Sequence, residues 1–200
     1  MKDTIKEYLD DNLARVESLV LTYESLPAAQ GSGRKGAEVL DILRAAVVLL
    51  HASLEDVLRR VASWKLPLAP KSVLDEIALA GANPLSKKFA LGDLAAHRGV
   101  SVDELINSSV KDHLERSNYN NTKEISRLLE NVGIEVAKVN GRFANLGEMM
   151  ERRHQIVHRA DRKEQVSGSG DHAVRGINKG TVRGWADDVK AFADDLLAQL

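Results

Sequence analysis

Near the C-terminus, Val182, Trp185, Val189, Phe192 and Leu196 recur at intervals of three, four, three and four residues. A helix brings side chains at that spacing onto one side, so this segment has to fold as a helix with a heptad-like seam that packs on other helices or on another subunit. The same periodicity governs the other end of the chain. There Ile5, Leu9, Leu13, Val16, Val20 and Tyr23 draw one apolar stripe from about Lys2 to Ser25, and Pro27 ends it. Aromatic residues make up only 4% of the chain. The core must therefore be filled by Leu, Val, Ile and Ala, which suits packed helices better than a β-sandwich. The expected class is all-α.

Between these ends the punctuation is uneven. From Ala37 to Trp64-Lys65 the sequence is rich in Leu, Val and Ala and predicts a long, largely buried helix. Pro67, Pro70 and Pro84, with Gly81 and Gly92, cut residues 66–99 into short pieces, with helices expected at Ser72–Ala80 and near Leu91–His97. Ser101-Val102-Asp103-Glu104 has capping-box spacing and opens a helix through about Arg116. Asn121 or Thr122 should cap the next helix, with Ile125, Leu128, Leu129 and Val132 as its apolar face and Gly133 as its left-handed end. After a connector, Phe143 to about Arg159 reads as a further helix, and the glycines among residues 164–180 predict a flexible loop.

A length of 200 residues with 44% hydrophobic content suits one domain over residues 1–200, in which residues 66–116 read as a helical insertion. The formal net charge is −1, so no global positive field draws a polyanion to the surface, and any nucleic-acid site has to be locally basic. There is no cysteine, which excludes a disulfide framework, a Cys-based zinc site and a thiol nucleophile. The start Met1-Lys2-Asp3-Thr4 lacks the pattern of a signal peptide. Ala45 to Leu50, the longest apolar run, is far shorter than a membrane span. A cytoplasmic protein with no membrane association is expected.

The chemistry-bearing segment is Arg152-Arg153-His154-Gln155-Ile156-Val157-His158-Arg159. Arginine stays ionised and offers a planar fork of donors to phosphate oxygens, whereas histidine titrates near neutrality and can move a proton. His154 and His158 stand one helical turn apart and can share a ligand. Arg153 and His158 are five residues apart, a rotation of roughly 140° on a straight helix, so one helix does not focus both groups. A plainer reading takes Arg152, Arg153 and Arg159 as solvated cations favoured by a helix C-terminus, with the histidines incidental. A third reading takes His154-Gln155-Ile156-Val157-His158 as a relative of the zincin helix. Gln155, however, replaces the glutamate base, and His113, His172 or Glu148 would have to supply a third ligand at no diagnostic spacing. His51 reads as a core histidine, while His97 and His113 read as surface residues. Glu55, Asp56 and Arg59 read as helix-surface pairs, with Glu55 able to orient a catalytic histidine if its face meets the motif helix. Trp185 and Phe192 read as core rather than as a stacking platform for bases.

Arg153-x-x-x-x-His158, with polar His154 beside the arginine, resembles the R-x(4-6)-H motif of HEPN-domain proteins. The blocks His51–Trp64, Ser117–Gly133-Ile134 and Arg153–Asp161 are similar to those of the RiboL-PSP type of HEPN domain. The resemblance implies a bundle of four to five main helices, a homodimer with the active site at its interface, and metal-independent cleavage of RNA by attack of the 2′-hydroxyl on its own phosphate. It assigns Arg153 and His158 the catalytic roles and His154 the polar position beside the arginine, and calls for no cofactor and no metal; from the residues themselves, Arg152, Arg159 and Glu55 are expected in support. A toxin, stress-response or phage-defence effector is implied, and an antitoxin or other partner protein fits the resemblance without a signature here. Toxins of the family that are modified by nucleotidyltransferase antitoxins tend to carry a tyrosine two residues after the histidine. This chain has Ala160 there, which excludes adenylylation at that position. The rival expectations are a non-catalytic HEPN module that binds RNA or dimerises and, more distantly, a metal-dependent hydrolase built on the two histidines.

Overall fold

The computed structural model describes residues 1–27, 36–162 and 174–200, which form helices and turns. Among the described residues there is no strand, only an isolated antiparallel bridge between Arg162 and Val174. The all-α expectation holds. The chain divides into two compact units, Met1–Glu55 with Ala137–Leu200, and Asp56–Val136. The second is wider than the 66–116 span read as an insertion. No helix among the described residues is long and apolar enough to cross a membrane.

The first unit is built from α1 (Lys2–Ser25), the opening part of α2 (Ala37–Lys65), α6 (Phe143–Arg159) and α7 (Lys179–Leu197). The N-terminal stripe buries Ile5, Leu9, Val16 and Val20, and the C-terminal seam buries Val182, Trp185, Val189, Phe192 and Leu196. α7 packs on both α1 and α6. The Phe143 ring from α6 meets Phe192 at a centroid distance of 6.2 Å. Across α1 and α7, Arg183 donates to Glu17 at 2.6 Å and to Glu24 at 2.9 Å, and Lys179 reaches Glu24 at 2.6 Å. The loop expected to run to residue 180 ends earlier. Asn178 caps α7 by accepting the Thr181 N–H at 2.9 Å, which outweighs the poor helix propensity of Gly180. Of that loop, residues 164–173 lie outside the described residues.

In the second unit α2 continues to Lys65 and is followed by a 3-10 turn at Leu66–Leu68, α3 (Lys71–Leu74), a 3-10 segment at Leu91–His97, α4 (Val102–Arg116) and α5 (Thr122–Asn131). The capping signals act as their chemistry requires. Ser101 Oγ accepts the Glu104 N–H at 3.2 Å while the Glu104 carboxylate accepts the Ser101 N–H at 2.9 Å. Asn121 accepts the Glu124 N–H at 3.0 Å, and Gly133 takes a left-handed φ of 76° past the end of α5. The expected helix at Ser72–Ala80 stops at Leu74. Further along, side chains of α4 capture the backbone instead: Ser109 Oγ accepts the Ala80 N–H at 2.9 Å and Asp112 accepts the Gly81 N–H at 3.2 Å. Arg59 donates to the carbonyls of Leu114 and Ser117 and thereby holds the end of α4.

Candidate functional site at the end of α6

α6 ends in two successive left-handed residues, Ala160 at φ 49° and Asp161 at φ 56°. Their N–H groups turn back to the Gln155 carbonyl, at 3.1 Å from Asp161. An aspartate tolerates this conformation better than an alanine does. The turn carries the Asp161 side chain inward, where it is completely buried. A buried carboxylate needs charged partners, and it has two. Asp161 Oδ2 accepts from Arg44 Nε at 2.7 Å and from Arg152 at 2.6 Å. Arg44, itself buried, also donates to Asp41 at 2.9 Å and to the Arg175 carbonyl at 2.9 Å. Arg152 adds the carbonyls of Arg175 at 3.1 Å and Gly176 at 3.2 Å. The Arg175 N–H returns to the Asp161 carbonyl at 2.9 Å. Burial pushes the Arg152 guanidinium below its ordinary pKa, the Asp161 charge pulls it back up, and Arg175 and Arg44 add repulsion. One carboxylate thus clamps two arginines from two helices together with the strand of backbone at 175–176.

The outer side of the same turns is open. Arg153 is half-buried, its Nε is shielded from water without a hydrogen-bond partner, and His154 and His158 are both exposed. The two imidazoles lie against each other, with centroids 4.6 Å apart and planes tilted by 43°. The side chains of Arg153, His154 and His158 make no hydrogen bond or ion pair among the described residues. Two hollows flank α6. One is an apolar groove of about 840 Å³, with Val48 and Leu49 of α2 facing Ile156 and Ala160; the other, of about 460 Å³, is lined by Glu151, Arg152, Gln155 and Trp185. Neither includes Arg153, His154 or His158. The end of α6 therefore offers guanidinium donors and two imidazoles, a set that can bind a phosphate and exchange protons with it.

The residues singled out from the sequence are placed differently from one another. Arg153, His154, His158 and exposed Arg159 share the last turns of α6. Arg152 belongs to the Asp161 clamp. Glu55 lies beside buried His51 on α2, at 3.8 Å from its Nδ1. The Gln155 amide bridges Arg175 and Glu151, the latter at 3.1 Å. His172 lies outside the described residues, and no three His, Asp or Glu side chains among the described residues form a group able to hold a metal ion. His113, read as a surface residue, is half-buried in a pocket of the second unit. Sequence reasoning missed Asp161, Arg44 and Arg175. The only trace of them is an acid set between Arg159 and Arg162, at a distance in sequence that no local pattern connects to Arg44.

No curated protein and no solved structure matches the chain. Residues 5–200 match the family model of RiboL-PSP-HEPN, nearly the full length, and the chain belongs to that family of HEPN domains.

Proposed function

We propose that the protein is a metal-independent RNA endonuclease of HEPN type that works as a single functional domain, with its active site completed by a second copy. The observation that carries this reading is the contrast on α6. Arg152 is drawn inward by Asp161, while Arg153 and the adjoining rings of His154 and His158 make no hydrogen bond or ion pair among the described residues. Arg153 would neutralise the scissile phosphate, and His158 would move the proton as the 2′-oxygen bonds to phosphorus and the 5′-oxygen leaves. His154 would hold the polar position beside the arginine, and Arg159 would add positive potential. Because five residues separate Arg153 from His158 by roughly 140° of rotation, each site is best assembled from the arginine of one copy and the histidine of the other. A cytoplasmic toxin, stress-response or phage-defence role, restrained by a partner protein, is the setting this chemistry suits.

The test is RNA cleavage in EDTA by the full chain and by Arg153→Ala and His158→Ala. Losses on the order of 10²–10⁴-fold in each variant are expected, with unchanged melting temperatures. Mixing the two inactive variants should restore part of the activity if the site is shared between copies. Cleavage that survives both substitutions would overturn the assignment, and RNA retention without cleavage by the unaltered protein would replace it with the binding-module reading.

A further inference from the structure

The second unit contains a pocket of about 430 Å³, within the range of small-molecule sites. Its apolar side is formed by Leu66, Val73, Ile77, Pro84 and Leu128. Its polar side comes from His113 near the end of α4 and from Glu124, Arg127 and Asn131, which recur along one face of α5. The two acids on the lining are already committed. Glu76 is paired with Lys87, whose hydrogen bond holds its carboxyl below the usual range, with a smaller contribution from the charge of Arg127. Glu124 accepts the Asn120 N–H at 2.8 Å. His113 and Arg127, by contrast, make no side-chain hydrogen bond or ion pair among the described residues. Burial pushes the His113 imidazole below its ordinary pKa, and the charges of Arg116 and Arg127 push in the same direction. An imidazole and a guanidinium thus stand beside an apolar wall with no hydrogen-bonded acceptor among the described residues, while the local carboxylates are hydrogen-bonded elsewhere.

We infer that this pocket binds a small organic phosphomonoester, its phosphate between His113 and Arg127 and its apolar body against Val73, Ile77 and Pro84. A phosphate dianion suits this wall better than a carboxylate, because it can accept the planar fork of arginine and a protonated imidazole at once. The same chemical group occurs on free phosphomonoesters and at the terminus of an RNA strand. The site is independent of the α6 residues and stands or falls separately from the nuclease reading.

The experiment is titration of the full-length protein with phenyl phosphate, followed through the His113 imidazole by NMR. A saturable shift with a raised His113 pKa is expected. Arg127→Gln should weaken binding at least tenfold without changing the melting temperature, since Arg127 is exposed, and Arg127→Lys should fall between. Inorganic phosphate and benzoate should each bind at least tenfold more weakly than phenyl phosphate. Displacement by a short oligoribonucleotide only when it carries a terminal phosphate would assign the group to an RNA end, and absence of displacement would assign it to a free small molecule. Three results would overturn the proposal: no saturable response at millimolar phenyl phosphate, equal affinity in Arg127→Gln, or inorganic phosphate or benzoate binding as tightly as phenyl phosphate.

Discussion

Arg152 and Arg153 are neighbours in sequence and opposites in the fold. The first inserts toward α2, where it shares the buried Asp161 carboxylate with Arg44; the second is also half-buried but makes no hydrogen bond or ion pair among the described residues. Adjacent residues on a helix point about 100° apart, so a pair of arginines necessarily divides between two faces. The division explains how one short segment can both close the helix and keep a reactive surface. The clamp fixes the left-handed turn that ends α6, one turn of helix from His158, while Arg153, His154 and His158 make no hydrogen bond or ion pair among the described residues. A cluster of like charges in a motif is therefore not one functional unit.

The sharpest way to break this contrast is to remove the carboxylate. Asp161→Ala takes the buried carboxylate away from Arg152 and from Arg44, whose remaining pairing with Asp41 is at the surface, and a loss of about 3–5 kcal/mol in unfolding free energy is expected. Arg152→Ala should cost less, because Arg44 still answers Asp161. Arg153→Ala should cost least, because half-buried Arg153 has no hydrogen bond or ion pair to lose among the described residues. Denaturant unfolding of the three variants measures all of this. A stability loss for Arg153→Ala equal to that for Arg152→Ala would erase the distinction between the two faces.

What was legible in advance follows the same division between local and distant causes. The stripes of α1 and α7, the cap residues Ser101 and Asn121, and the glycine at 133 act within a turn or two of themselves, and each was readable from its own neighbourhood. Residues 66–99 were not, since Ser109 and Asp112 of α4 hold the backbone at Ala80 and Gly81 from about thirty positions away. The clamp was hidden for a stronger version of this reason. Arg44 and Asp161 are 117 positions apart. His113 was misjudged because its burial depends on the walls that α3, α5 and the loop at Pro84 and Lys87 provide, none of which shows in its own polar segment. The motif on α6 was legible as residues, though the spacing does not say which of Arg152 and Arg153 turns inward, because that is decided by Arg44 and Asp161.

A second arginine network sharpens the comparison because it is exposed to water. Arg183 reaches Glu17 and Glu24, and its hydrogen bond, followed by that of Lys179, holds the Glu24 carboxyl down to about 2 from an ordinary value of 4.5. The folded protein therefore releases this proton more readily than the unfolded chain does. The resulting stabilisation is present above pH 4.5 and disappears as the pH falls toward 2. Arg183→Gln should lower the melting temperature at neutral pH, with the gap from the unaltered protein closing through that window. The gap should also narrow in molar salt, which screens exposed pairs. The gap produced by Asp161→Ala should respond much less to salt. A gap for Arg183→Gln that stays constant from neutral to acid pH would show that the arginine stabilises α7 by packing its stem and not by its charge.

The smallest effect concerns the turn itself. Ala160 adopts φ 49°, a conformation that costs a residue with a Cβ roughly 1–2 kcal/mol, whereas glycine adopts it freely. Ala160→Gly also increases the freedom of the unfolded chain, at a cost of about 0.4–1 kcal/mol. The two contributions leave a net gain of about 0–1.6 kcal/mol, readable as a small rise in melting temperature. Ala160 is exposed and lines the apolar groove together with Val48, Leu49 and Ile156. A fall in melting temperature would therefore mean that this contact outweighs the strain, and that the alanine is kept for packing against α2 while Asp161 alone sets the turn.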